Sequence, residues 1–292
     1  MAKRWTIKEL LTVATDYLYK KNIDSPRLAA EVLLAHVLGV KRIDLYLDFE
    51  RPLTSAEVSQ YRELVRRRVA REPLQYITGR QEFWSLEFIV NNHVLIPRPE
   101  TELLVEQAVE HCKERIKSGE QRVAVLDLCT GCGAVAISIA KEMPQATLWA
   151  SDISSEAISI AKANAQRHGV SGKIEFLEGD LFGPARDKGL HFHIIVANPP
   201  YVAEEEYEKL PPEVRDYEPR VSLDGGPGGM VIIERILREA PDFLKPKGVV
   251  IIEMSPAQVA EAKDLISSLP RYRICRVLKD YSGLDRVVVA QR

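Results

Sequence analysis

Four consecutive residues, Asn198-Pro199-Pro200-Tyr201, have the chemistry to grip a flat group that carries an NH2. The Asn side-chain oxygen is an acceptor. The prolines fix φ and lack an N–H, so they offer rigid carbonyl acceptors, and Tyr201 offers a flat face. A planar amide or amine would give its two N–H donors to the Asn198 oxygen and the Pro199 carbonyl while its π-system packs on Tyr201. The motif directly follows His193–Ala197, an apolar run that reads as a strand.

A second motif, Asp127-Leu128-Cys129-Thr130-Gly131-Cys132-Gly133-Ala134, ends a strand and opens a helix. Glycines there let backbone approach a ligand closely, so Cys129, Thr130, Gly131, Cys132 and Gly133 form a candidate cofactor loop. Asp152, nineteen residues beyond Gly133, is spaced to accept from the two hydroxyls of a ribose. Gly131 to Ala136 also satisfies the dinucleotide fingerprint, so the loop alone fits a nicotinamide dehydrogenase and an S-adenosylmethionine enzyme equally well. Asp180 ends a third strand and can accept from an adenine amino group, with Leu181 placed to cover the ring. Cys129 and Cys132 have a metal-like spacing, but zinc needs four ligands and no second pair exists. No metal is expected, and the two cysteines read as small residues serving the loop.

The elements that must hold these residues alternate. Strands fit 123–128, 147–151, 173–177, 193–197 and 248–253, with helices over 134–142, 155–168 and 230–243 between them. A helix near 256–268 and a strand pair at 272–278 and 286–290 complete the run. This pattern predicts an α/β fold with a mostly parallel sheet whose ligands bind at the C-terminal strand ends. Residues 1–80 read instead as helices. Thr6 caps the first, Ser25-Pro26 starts the second, Gly39 stops it, and Thr54 with Glu57 forms a capping box for a third. Between them, Phe83 to Ile96 reads as a β-hairpin turning at Asn91-Asn92, closed by Pro97-Arg98-Pro99. The expected domains are a helical one at 1–80, a hairpin connector at 81–100 and a catalytic domain at 101–292.

The chain has 292 residues, 46% of them hydrophobic, and a net charge of −2. That composition excludes a disordered or fibrous protein and argues against one that grips nucleic acid by bulk charge. Residues 1–90 carry a surplus of three positive charges, a weak lean that a solvated helical surface explains. Four cysteines make no disulfide framework, and no run approaches the ~18 apolar residues of a membrane span. A monomeric, cytoplasmic protein with no membrane and no direct nucleic-acid partner is expected.

With the loop and the Asn-Pro-Pro-Tyr clamp together, the sequence resembles a class I S-adenosylmethionine-dependent methyltransferase that acts on amino groups. Glu72-Pro73-Leu74-Gln75-Tyr76-Ile77-Thr78-Gly79-Arg80-Gln81-Glu82-Phe83-Trp84 and Leu95-Ile96-Pro97-Arg98-Pro99-Glu100-Thr101-Glu102 resemble signature segments of the PrmC/HemK family. The resemblance runs the whole length. It implies a Rossmann-like, seven-stranded catalytic domain, a small all-α N-terminal domain and S-adenosyl-L-methionine as cofactor. It also implies methylation of the N5 amide of the glutamine in the Gly-Gly-Gln motif of class-1 peptide chain release factors. Asn198, Pro199, Pro200 and Tyr201 would then be catalytic, with Asn198 also facing the cofactor. The chain departs from the family where it places Cys129 and Cys132 at positions usually held by Gly and by Ser or Thr. It also has Leu181 where an aromatic often stands, and Glu253-Met254-Ser255 in place of Glu-Ile-Gly. An N6-adenine methyltransferase is the nearest competing reading, because a flipped-out adenine amine suits the same clamp. A nicotinamide oxidoreductase is the competitor from another class.

Overall fold

Apolar positions three and four apart give the first residues a single buried face, and Ile7, Leu10, Leu11, Ala14 and Leu18 of the first helix are all buried. A computed structural model describes residues 4–292. Their contacts divide them into two units, residues 4–80 with 211–217, and residues 81–210 with 218–292.

The first unit is helical: α1 (Ile7–Lys20), α2 (Pro26–Leu38), α3 (Arg42–Leu47), α4 (Ser55–Val69) and α5 (Leu74–Thr78). Leu11, Leu18, Leu33, Leu34 and Leu45 fill its core together with Tyr61, whose hydroxyl donates to the Ala30 carbonyl at 3.1 Å. Both expected capping boxes form, at Thr6 with Glu9 and at Thr54 with Glu57. Ser25 differs. It lies at φ +47°, and its side chain makes no cap bond, so Pro26 alone marks that helix start. The short α3 and α5 lack the periodic length that would reveal them in sequence.

The second unit opens with the hairpin, which is displaced from its expected position. Strands β1 (Arg80–Phe83) and β2 (Leu86–Ile89) turn at Trp84-Ser85, both at positive φ. Asn91 instead makes a local turn, accepting from His93 N at 3.0 Å. Tight hairpin turns need two left-handed residues, usually Asn-Gly, and Trp-Ser gives no such signal. Outside bonds compensate. The Trp84 backbone N–H donates to Glu102 Oε1 at 2.8 Å and its indole N–H to Glu142 Oε1 at 3.0 Å.

The rest alternates: α6 (Glu102–Lys117), β3 (Val123–Leu128), α7 (Ala134–Glu142), β4 (Ala146–Asp152), α8 (Ser155–Arg167), β5 (Ile174–Glu178), α9 (Gly183–Asp187) and β6 (Phe192–Ala197). After α10 (Pro212–Arg215), which belongs to the first unit, come α11 (Val231–Phe243), β7 (Leu244–Glu253), α12 (Val259–Ser268), β8 (Ile274–Lys279) and β9 (Asp285–Gln291). The sheet has seven strands in the order β5-β4-β3-β6-β7-β9-β8, and β9 runs antiparallel to both of its neighbours. Leu126, Leu128, Ile195, Ala197, Val250 and Ile252 pack against Ile233, Leu237 and Ala262 of α11 and α12. Alternate residues Val125, Ile194, Val196 and Ile251 are buried as well, on the side that α6 and α7 cover. Burial on both faces explains why these strands read as unbroken apolar runs.

Strand register assembles the chemistry. Leu128 pairs with Ser151 on one side and Ala197 on the other, and Ala197 pairs with Ile252. The next residues, Cys129, Asp152, Asn198 and Glu253, therefore line one edge of the sheet, where strand order reverses between β3 and β6.

Candidate active site

A cavity of about 480 Å³ lies over that edge, a size suited to a nucleoside-bearing ligand. Cys129, Gly131, Asp152, Asp180, Leu181, Asn198 and Pro200 line it. Thr130, Cys132 and Gly133 stand behind the wall rather than in it. The Thr130 hydroxyl donates to Asp127 Oδ2 at 2.6 Å, and the same oxygen accepts from Ala136 N at 3.1 Å. Asp127 thus ties the loop to the first turn of α7, and burial pushes its carboxyl up to about 7 against those two bonds. At Gly133 a Cβ would come within 3.1 Å of the Ala161 Cβ, so its bare backbone lets α8 approach.

Cys129 lies at φ +57° and Gly131 at φ +55°. The left-handed region costs a residue with a Cβ about 1 kcal/mol or more, a cost that a glycine in the place of Cys129 would not carry. Burial raises both loop thiols, Cys132 up to about 12, so neither is a thiolate at neutral pH.

Asp152 closes β4 with both carboxylate oxygens engaged. Oδ2 accepts from Gly131 N at 2.9 Å and Oδ1 from Ser154 N at 3.0 Å. Burial raises its pKa, opposed by these backbone bonds. Each oxygen keeps a lone pair, and the side chain borders the cavity, so two vicinal hydroxyls have acceptors there. Asp180 is held by Arg235, with Nη2–Oδ2 at 2.6 Å and Nη1–Oδ1 at 3.3 Å. Leu181 sits at φ +43° with its side chain in the wall, and Ile153 and Ile232 also line the cavity.

The clamp divides into a part that borders the cavity, Asn198 and Pro200, and a braced part behind it, Pro199 and Tyr201. The Asn198 amide nitrogen donates to the Thr101 hydroxyl at 3.1 Å, which leaves Oδ1 to accept from a ligand. Pro199 is buried, and the Pro200 carbonyl packs against Gly225, where a Cβ would lie 2.8 Å from it. That carbonyl therefore lies against the loop behind, whereas both proline carbonyls were expected to face the ligand. Tyr201 is half-buried. Its hydroxyl donates to Glu253 Oε1 at 3.2 Å, and its carbonyl accepts from Gln258 Nε2 at 2.7 Å.

Sequence reasoning assigned no role to Thr101, Glu253, Gln258 or the run Gly225-Gly226-Pro227-Gly228-Gly229. Four glycines in five residues, directly before the helix expected at 230–243, were the clue. At Gly229, φ is +73°, and a Cβ would lie 2.2 Å from both the Tyr201 carbonyl oxygen and Gln258 Nε2. Gly229→Ala must displace the clamp. Turnover should fall at least tenfold and the melting temperature by several degrees, a loss of about 2 kcal/mol. Thermal unfolding and steady-state rates on the same preparation check it, and wild-type values for both would show that the clamp needs no brace.

A glycine loop and ribose-spaced acid at the switch point of this sheet, beside an Asn-Pro-Pro-Tyr acceptor set, define a class I S-adenosylmethionine-dependent methyltransferase. Comparison with known proteins narrows the class. Family models described as the PrmC N-terminal domain and the Methyltransferase small domain match residues 9–79 and 100–210. A protein of Chlorobaculum tepidum named "Release factor glutamine methyltransferase" is 41% identical over 97% of this chain and 96% of its own. One of Rhodopirellula baltica with the same name is 40% identical over 99% and 97%. A crystal structure of a methyltransferase from Pyrococcus furiosus shares the fold at 17% identity, covering 80% of this chain and 98% of that one with a TM-score of 0.50. The chain belongs to the release factor glutamine methyltransferase family. Among the described residues no helix is long and apolar enough to cross a membrane.

Proposed function

We propose that this protein methylates the side-chain N5 of the glutamine in the Gly-Gly-Gln motif of class-1 release factors, with S-adenosyl-L-methionine as methyl donor. The observation that carries the site assignment is the Asn198 amide, anchored through its nitrogen on Thr101 so that its oxygen is left to accept.

The donor-set chemistry fits the cofactor. Asp152 offers carboxylate oxygens for the ribose hydroxyls, Cys129 and Gly131 offer close backbone, and Ile153, Leu181 and Ile232 offer apolar cover for a base. When bound, S-adenosyl-L-methionine supplies a methyl group bonded to a positively charged sulfur. An amide nitrogen is a weak nucleophile because its lone pair is delocalised into the carbonyl. Asn198 Oδ1 and the Pro199 carbonyl accept its two N–H bonds, which orients the nitrogen and favours the positive charge that grows on it in the transition state. Tyr201, held at its hydroxyl and its carbonyl, keeps the clamp in one place. The nitrogen that gains a methyl gives up one proton, which leaves to water.

A free amide has too little surface to orient itself, so the substrate glutamine arrives on a protein. The helical domain of residues 1–80 and the connector of 81–100 are assigned to hold it. The enzyme acts as a cytoplasmic monomer without nucleic acid. Transfer of labelled methyl from S-adenosyl-L-methionine tests this with three acceptors, a release factor, its Gln→Ala variant and duplex DNA. Label should enter the unmodified release factor alone. Transfer to DNA, or equal labelling of the Gln→Ala protein, would refute it.

A further inference from the structure

Behind the clamp lies a buried acid that the reaction outlined above does not use. Glu253 ends β7 and is 1% exposed, and Thr101 is 4% exposed. Oε1 of Glu253 accepts from the Tyr201 hydroxyl at 3.2 Å, while Oε2 is buried with no hydrogen bond. The Thr101 hydroxyl also acts on this carboxylate. Thr101 already uses its oxygen as acceptor for Asn198 Nδ2, so its own proton is available, and an ionised carboxylate has only acceptors to offer.

We propose that Glu253 is a positioning residue: through the Thr101 hydroxyl, its carboxylate fixes which end of the Asn198 amide faces the cavity. The order of donation is Asn198 N–H to Thr101 oxygen and Thr101 O–H to Glu253, with Tyr201 O–H to Glu253 from the other side. Because the carboxylate offers only acceptors, the Thr101 and Tyr201 hydroxyls both point their protons toward it, which leaves the Thr101 oxygen to accept from Asn198. A protonated Glu253 can donate to Thr101 instead. Thr101 would then donate to Asn198 Oδ1, and the amide would present its NH2 to the substrate's NH2, a donor against a donor. The proposal rests on the reading that Asn198 holds the substrate amide.

The groups around Glu253 are few. Arg286 on β9 and the Thr101 and Tyr201 hydroxyls favour its charge. Glu100, on the turn before α6, opposes it, and Arg286 is itself paired to Asp280 at 3.2 Å. Burial is the largest influence and pushes the carboxyl up to about 7. Ionised Glu253 is the working form, so its contribution is present above that value and lost as pH falls through it.

Turnover and KM for the release factor, measured from pH 5.5 to 9 beside calorimetric cofactor affinity, test this with Glu253→Gln, Thr101→Val, Thr101→Ser and Asn198→Ala. The wild type should show an acid limb near pH 7. Glu253→Gln should lose that limb, and its turnover at pH 8 should fall three- to tenfold, because an amide offers one acceptor to two hydroxyls. Thr101→Val should fall at least tenfold in turnover with KM and cofactor affinity within about twofold, and Thr101→Ser should recover to within threefold of wild type. A limb that survives in Glu253→Gln, a wild-type profile flat through pH 7, or Thr101→Val at wild-type turnover overturns the proposal. If Glu253→Gln fails to fold, the Thr101 pair decides. Loss of turnover in Asn198→Ala with none in Thr101→Val removes only the relay. Full turnover in Asn198→Ala removes the reading beneath it.

Discussion

Asn198→Ala should lower turnover by about 10²–10³-fold, the loss of roughly 3–4 kcal/mol that follows removal of one preorganised group opposite developing charge. Cofactor affinity should stay within about threefold, because the carboxylate and backbone proposed to hold the cofactor lie on β4 and the loop after β3. The two effects separate because Asn198 binds more strongly in the transition state than in the ground state. Its oxygen accepts from a neutral amide at the start and from a partly positive nitrogen at the barrier. Thr101 is left with an unfilled acceptor in the variant, and a hydroxyl tolerates that, so the fold should persist. Single-turnover rates with calorimetric cofactor affinity read both quantities. Near-normal turnover would remove Asn198 from the reacting geometry, and an equal loss in both would make it a cofactor residue only.

Asp152→Ala reverses that pattern. The substitution removes the acceptors of Gly131 N and Ser154 N as well as those offered to a ribose. Hydrogen bonds to a charged acceptor are worth about 1.5–3 kcal/mol each. Two lost to the ligand, together about 3–6 kcal/mol, predict a dissociation constant for S-adenosyl-L-methionine raised by about two to four powers of ten. Turnover at saturating cofactor should recover most of its value. The pKa of Asp152 is raised by burial, so the carboxylate needed for binding is lost as pH falls toward that raised value, and wild-type affinity should weaken on the acid side. Titration calorimetry at several pH values tests it. Affinity unchanged by the substitution would mean that the acid serves the loop and not the ligand.

Much of this arrangement was legible in sequence, for reasons that vary by element. The strands of the sheet are buried on both faces, and their apolar runs stand out from the helices between them. Asp127, Asp152 and Asn198 were visible because each ends such a run. Glu253 ends one too, but with Met254-Ser255 after it in place of Ile-Gly the acid reads as a strand terminus. The Gln258 and Gly229 brace depends on loops that meet in space from positions 201, 229 and 258, and no local pattern reports such a meeting. The hairpin was misplaced because its turn residues, Trp84 and Ser85, take left-handed geometry that contacts from Glu102 and Glu142 support. Thr130 and Cys132 fell within the right motif, but side-chain direction set them behind the cavity, and a motif carries no direction.

The most direct test of the central claim is the mass of one peptide. A release factor incubated with this protein and S-adenosyl-L-methionine, then digested, should yield its Gly-Gly-Gln peptide heavier by one methylene unit, with fragment ions placing the gain on the glutamine side chain. The same peptide from an incubation with Asn198→Ala should stay unshifted over the same interval. A methyl group found on any other residue, or an unshifted Gly-Gly-Gln peptide from an enzyme that binds the cofactor, would contradict the account.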